Sequence, residues 1–368
     1  MGLIHTTDLD AWHASVAAHS SPLRRLRNQF RSAAPEPAVL LMPGTSLGTT
    51  GDTDLQPDES VGVDEVDILL VLDSLSPSQL AAILAPMRHL ERSRVAVLTT
   101  PAAAAGLPTA AGSKPLSIVQ VSDLDLALPH LRCVLAVGDY MHLGAIAHAT
   151  ALGANAAFLV AQHGIVTPHA PPLPKGAELL AWSEEDGEFW AGGRNDVTSH
   201  TVGGQLLHEA LRSGDQQRVG GEATSLTYLG QLHGHELQRR SMARAAGAFC
   251  RTTGALYRPH PSETDIASRM QHRLWRLRGI EFESSGMPLP ELNTAVVSVF
   301  STGVLEAAAA GIPAWVDFPE PPQWLEEIWQ RYGMKRFGSS APTVVPPTVN
   351  EPAKEIAEIV LQRAGGRR

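Results

Sequence analysis

The sequence predicts an α/β protein of two Rossmann-like domains whose parallel sheets face a central cleft. Short, largely apolar runs alternate with Ala- and Leu-rich stretches of helical composition, the rhythm of βαβ units. That rhythm breaks over 212–224, a polar stretch holding Gly214, Gly220 and Gly221, and then restarts. A chain of 368 residues also suits two domains of ordinary size. The expected division is a first domain over 1–215, a second over 222–350, and a C-terminal helix and tail over 351–368.

In the first half, strands are expected at 38–42, 67–72, 94–99, 117–121, 133–137 and 157–161. Each is apolar almost throughout, as strands covered on both faces should be. Helices are expected at 76–92 and 143–152. Ser76 followed by Pro77 reads as a helix cap and a first-turn proline. In the second half, strands are expected at 225–229, 255–257, 295–299 and 314–316, and helices at 235–252, 264–278 and 304–310. Four prolines over 341–352 exclude regular helix there. The stretch 353–363 reads as a final helix and 365–368 as a loose tail.

Composition narrows the class. Apolar residues make up 43% and charged residues 18%, a globular balance. A formal net charge of -9 disfavours a protein that neutralises the phosphates of a nucleic acid. The two cysteines, Cys133 and Cys250, build neither a disulfide framework nor a CxxC metal pair, and a reducing, cytoplasmic compartment is expected. The first residues lack the pattern of a signal peptide, and no run is long and apolar enough for a membrane span. The basic, amphipathic segment 23–31 leaves peripheral membrane contact open.

Several turns carry chemistry. The run 296–316 reads as a buried strand, a Ser301-Thr302-Gly303 turn and an Ala-rich helix closed by Gly311-Ile312-Pro313. Ser301 or Thr302 can cap that helix, and Gly303 would let a ligand approach the backbone. Free N–H groups and the helix dipole make such a turn an anion cradle for a phosphate. Glu306, one turn into the helix, could accept hydrogen bonds from ribose hydroxyls. A second turn, Arg258-Pro259-His260-Pro261, fixes the backbone on both sides of His260. At the carboxyl end of a strand in an open α/β sheet, Arg258 and His260 could meet the same phosphate. A third, Gln162-His163-Gly164, ends a buried strand late in the first domain. His163 reads as a general base, as an acceptor contact, or as a histidine satisfied within its turn.

Asp139, after Val137-Gly138, reads as a helix cap or as a residue reaching the cleft, the cap being favoured. The cluster Ser183-Glu184-Glu185-Asp186-Gly187-Glu188 reads more readily as a solvated helix start than as a base with a raised pKa. The Gly-rich loop 42–51 is neither GxGxxG nor a Walker loop. The DxD letters at 8–10, 52–54 and 123–125 lie outside the second half and read as surface turns.

Taken in order, Gln162-His163-Gly164, Arg258-Pro259-His260-Pro261 and Ser301-Thr302-Gly303-Val304-Leu305-Glu306-Ala307 resemble the GT-B superfamily that makes bacterial surface polymers. Its capsule-type and sialyltransferase-like enzymes and its teichoic acid glycerol-phosphate polymerases are the nearer relatives. The likeness spans about 133–316. It implies a C-terminal domain that holds a nucleotide donor and an N-terminal domain that holds the acceptor. It also implies donor contacts from His260, Ser301 and Thr302 and from the Leu229-Gly230-Gln231 turn. Sialyltransferase-like members carry a base motif whose letters Glu185-Asp186-Gly187 match, although these fall after the Gln-His-Gly turn.

The reading is therefore a metal-independent, inverting glycosyltransferase or polyol-phosphate transferase of cell-surface glycan synthesis, with no cofactor. The donor is CMP-, CDP- or UDP-linked, the acceptor a glycan or a lipid-linked molecule. The base comes from His163, Asp139 or Asp186. UDP-N-acetylglucosamine 2-epimerase shares the fold and the Val137-Gly138-Asp139 pattern, but its Arg- and Glu-rich catalytic stretches have no counterpart here. A non-catalytic nucleotide-binding protein is the alternative from another class.

Overall fold

Four- and five-residue apolar runs build the first layer. They are too short for stable helices and carry side chains that need cover on both faces. The computed structural model describes residues 2–19, 38–42, 66–107, 117–120, 124–204, 225–292, 294–338, 341–346, 348 and 350–365. The strands are β1 (Val39–Met42), β2 (Ile68–Leu72), β3 (Val95–Thr99), β4 (Ser117–Gln120), β5 (Cys133–Ala136), β6 (Ala157–Ala161), β7 (Glu178–Ala181), β8 (Thr198–Thr201), β9 (Leu226–Leu229), β10 (Leu256–Arg258), β11 (Ala295–Ser298) and β12 (Ala314–Val316).

The helices are α1 (Leu9–His19), α2 (77–89), α3 (Pro101–Gly106), α4 (Leu124–Ala127), α5 (His142–Ala154), α6 (Glu184–Ala191), α7 (Arg239–Thr253), α8 (Ile266–Leu277), α9 (Thr302–Ala309), α10 (Gln323–Arg331) and α11 (Pro352–Arg363). The cap of α2 is as expected: Ser76 Oγ accepts from the Gln79 N–H, with Pro77 in the first turn. Its winding is not regular. It passes from α through a π segment (Leu80–Leu84) to a 3-10 segment (Ala85–His89), where Pro86 has no N–H to continue the ladder.

Two sheets result. The first has eight strands in the order β4-β1-β3-β2-β5-β6-β7-β8, and the second four, in the order β10-β9-β11-β12. The second sheet is parallel throughout. The first is parallel except for β1, which runs antiparallel to both β3 and β4. An entirely parallel sheet was expected. An apolar run buried on every side reads the same in either direction, so the sequence holds no signal for the reversal. Strands β7 and β8 also escape the sequence: β7 is four residues long, and β8 is a polar strand at the sheet margin.

Alternate residues of β2 divide between two layers. Ile68, Leu70 and Leu72 enter one apolar cluster and Leu69 and Val71 the other. The larger cluster continues into the second sheet through Tyr228, Val297 and Trp329. Helix α11 follows the second sheet in sequence but packs on the first, against the 85–89 turn of α2 and β5. Arg363 grips Glu178 through two bonds of 2.5 and 2.7 Å, and Arg94 donates to the Ala364 carbonyl at 3.3 Å. The expected junction at 212–224, the basic segment 23–31 and the loop 43–51 lie outside the described residues. Among the described residues, no helix is long and apolar enough to cross a membrane.

Candidate functional site

The carboxyl ends of β6, β9, β10 and β11 all turn into one cleft between the sheets, where an open α/β fold places ligands. Its volume is about 970 Å³. His163, Gly230, Gln231, Arg258, His260, Ser301, Thr302, Gly303 and Glu306 line it together. The Pro259–Pro261 and Ser301–Gly303 turns therefore share one hollow. The Ser74–Ser78 start of α2 faces them from the first domain, with Trp12, Tyr140 and His169.

The anion cradle forms as the residues dictate. Ser301 is the N-cap of α9, and its Oγ accepts from the Gly303 N–H at 3.1 Å. Gly303 is explained by packing more than by ligand approach: a Cβ there would lie 2.7 Å from Leu229 Cδ1. Thr302 reaches the other domain, where its Oγ1 accepts from the Ile165 N–H at 3.3 Å. Gln231 ties two strand ends together, its Oε1 accepting from the Phe300 N–H and from the Ser298 hydroxyl, each at 3.0 Å.

The imidazole of His260 is oriented by its own turn. Its Nδ1 accepts from the Ser262 N–H at 3.1 Å, so the neutral ring carries its proton on Nε2. Burial lowers its pKa, partly opposed by Glu263. The His233 ring stacks on it, centroids 3.7 Å apart at 18°. Arg258 is already engaged, paired with Glu283 at 3.1 Å and donating to the Met287 carbonyl at 2.7 Å. That pairing cancels much of the charge expected to meet a phosphate.

Two carboxyls behave differently. Glu306 is desolvated, which pushes its pKa up to about 7. Glu263 is 5% exposed yet ionised. Burial alone would raise its pKa, but hydrogen bonds from His272 (2.8 Å), the Leu232 N–H (3.0 Å) and the Tyr257 hydroxyl (2.9 Å) more than reverse that. Glu263 thus pins the turn after β9. Gly230 sits directly over it: a Cβ there would lie 2.2 Å from Tyr257 Oη and 2.6 Å from Glu263 Oε1. Sequence reasoning missed Glu263, His233 and Ser298. Their only sequence signal is nearness to a turn: Glu263 follows the His260 turn, Ser298 precedes the Ser301 turn, and His233 comes just after Leu229-Gly230-Gln231.

The three candidate bases separate. His163 is in the cleft, and burial drives its pKa down to about 4, which the Ala161 backbone only partly opposes. It is neutral at pH 7. Asp139 lies at a different pocket, with Thr7, Lys175, Arg194 and Asp196, and pairs with His148 at 3.4 Å. Nor does it cap α5, whose Leu143 N–H donates to Asp73 instead.

Asp186 is 1% exposed and lies among the residues joining the domains. It accepts from Gln162 Nε2 (2.9 Å) and from the Tyr332 hydroxyl (2.7 Å), with Arg331 at 3.3 Å. Tyr332 Oη in turn accepts from the Val166 N–H at 2.9 Å, and Arg331 donates to the Val166 carbonyl. Ser183 caps the helix as the acidic run suggests, but Asp186 points inward rather than into solvent. Burial is the main influence on its pKa and raises it, against the bonds from Gln162 and Tyr332. Among the described residues, no three His, Cys, Asp or Glu side chains gather as a metal site requires.

Against solved structures, this architecture is similar to UDP-GlcNAc 2-epimerase from Methanocaldococcus jannaschii. The TM-score is 0.50 at 12% identity, over 81% of this chain and 100% of that one. The fold is GT-B-like. Lower-scoring similarities are to Anabaena Alr3699/HepE in complex with UDP (TM-score 0.39, 14% identity, 81% and 95% coverage) and to a glycosyltransferase from Rickettsia africae ESF-5 (TM-score 0.40, 8% identity, 82% and 93% coverage). No protein-family model and no curated protein sequence matches the chain.

Proposed function

We propose that the protein is a nucleotide-sugar-dependent glycosyltransferase of the GT-B superfamily, taking a UDP-, CDP- or CMP-linked donor in its C-terminal domain. The observation that carries this reading is the convergence of the His260 and Ser301–Gly303 turns on one interdomain cleft, opposite His163. In this reading the N–H groups and dipole of α9 stabilise the leaving phosphate. His260 Nε2–H donates to it, and Glu306 meets the ribose. Arg258 contributes only after releasing Glu283. The acceptor, a glycan or lipid-linked molecule of cell-envelope polysaccharide synthesis, lies on the first-domain side beside Trp12, Tyr140 and His169. His163, neutral at pH 7, takes the acceptor's proton, and transfer is inverting and metal-independent. The domains divide near 215–222, and the protein works in the cytoplasm.

Calorimetric titration with UDP, CDP, CMP and GDP tests the donor site. Wild type should bind at least one, and the His260→Ala, Ser301→Ala double variant should bind it at least about tenfold more weakly. Equal binding by both proteins would remove the assignment. A second reading, a sugar-nucleotide epimerase, draws support from the fold similarity over 81% of this chain and all of the M. jannaschii enzyme. Isomerisation of UDP-GlcNAc without any acceptor would favour it over transfer.

A further inference from the structure

Helix α8 is apolar on the wrong side as well as the right one. Its buried face is Ser268, His272 and Trp275. On the far side, Ile266, Met270, Leu274 and Leu277 are 57%, 68%, 40% and 77% exposed. Spacings of four, four and three residues place them in one stripe along the helix. They are four of the ten large apolar side chains exposed among the described residues; the other six are spread over other elements. Single exposed apolar residues need no explanation, but a contiguous stripe does.

The charge carried by the two helices at the stripe is of one sign. Arg269, Arg273, Arg276 and Arg278 are exposed beside it. Helix α7 packs against α8 at Gly247, where a Cβ would lie 2.9 Å from Trp275 Nε1, and it exposes Arg240, Arg244 and Arg251. Neither helix contains an acidic residue. None of the seven arginines has a carboxylate partner among the described residues; Arg276 rests over the Phe282 ring at 4.2 Å. In a chain of net charge -9, this is a local basic surface set around an apolar ridge.

We propose that the α7–α8 face docks on an anionic lipid surface, with the α8 stripe inserted at the headgroup boundary and the arginines among the headgroups. An aliphatic ridge rimmed by cations is the chemistry that such a surface recognises. A second copy fits poorly, because a two-fold contact would bring these arginines against themselves. A nucleic acid would satisfy the arginines but leave the four aliphatic side chains unexplained. The cleft residue Ser262 is four residues before the start of α8, so docking holds the cleft mouth near the bilayer. The inference stands independently of the transferase reading.

The test is flotation of the full chain with vesicles of phosphatidylcholine alone or with phosphatidylglycerol, at low and high salt. Wild type should float with the anionic vesicles, and high salt should weaken this. Met270→Glu with Leu274→Glu should reduce binding at least about tenfold, and each of Arg244→Glu and Arg273→Glu about fivefold or more. All four positions are exposed, and matching thermal melts check that the variants fold. Absence of wild-type flotation, or flotation untouched by the apolar pair, overturns the proposal. So does a wild-type dimer that the apolar pair converts to monomer without any vesicle binding, or binding to RNA alone.

Discussion

The hydroxyl of Thr302 and the backbone N–H of Ile165 meet across the cleft at 3.3 Å, joining the helix start of one domain to the turn after β6 in the other. The groups proposed to hold a phosphate are therefore also a point of contact between the domains. Thr302→Val keeps the shape and removes the hydroxyl. It should weaken nucleotide binding by about tenfold, as expected for one hydrogen bond to a charged group. Calorimetry on the variant with the best-bound nucleotide reads this directly, and an unchanged affinity would take Thr302 out of the site.

Glu306 gives a pH signature. Its folded pKa, about 7, lies above that of an unfolded glutamate. Its contribution to stability is therefore complete below the unfolded value, near ~4.3, and is lost as pH rises through about 7. Glu306→Gln should be more stable than wild type at pH 8, by about 1–3 kcal/mol, and the difference should close toward pH 4.5. Urea unfolding at the two pH values measures it; a pH-independent difference would show that Glu306 ionises freely in the folded state.

Tyr332→Phe probes the domain junction. The hydroxyl donates to Asp186 and accepts from Val166, so its loss leaves two largely buried groups short of a partner. A cost of about 1–3 kcal/mol is expected. Combined with Asp186→Asn, the two losses should be non-additive by about 1 kcal/mol in a double-mutant cycle. Strict additivity would mean that the two side chains act separately.

Gly230→Ala should destabilise the protein by about 2 kcal/mol or more and abolish nucleotide binding, because the added methyl meets Tyr257 and Glu263. Glu263→Gln should weaken the same turn without a clash. A thermal melt and a titration on each variant separate steric loss from loss of the carboxylate. Full nucleotide binding by Gly230→Ala would show that the turn does not shape the site.

Much of this was readable in the residues, for stated reasons. Strands such as 157–161 and 314–316 announce themselves as apolar runs bounded by polar turns, and the structure reproduces their limits. Nine of the proposed site positions share a cleft because strand ends of a parallel sheet must open on the same side. What the sequence hides is partnership. Nothing in the letters reveals that Arg258 is neutralised by Glu283, that Asp186 is sealed between domains, or that Asp139 faces another pocket. Each depends on residues distant in the chain.

The seating of α11 on the first sheet also bears on how the protein can be cut. Pro352, Ala353, Ile356, Ala357 and Val360 are buried by that seating. A fragment ending before residue 350 would uncover an apolar floor on the N-terminal half, while a C-terminal fragment would carry a helix with nothing to lean on. Working halves, if they are to be made, need the last fourteen described residues transplanted onto the end of the first.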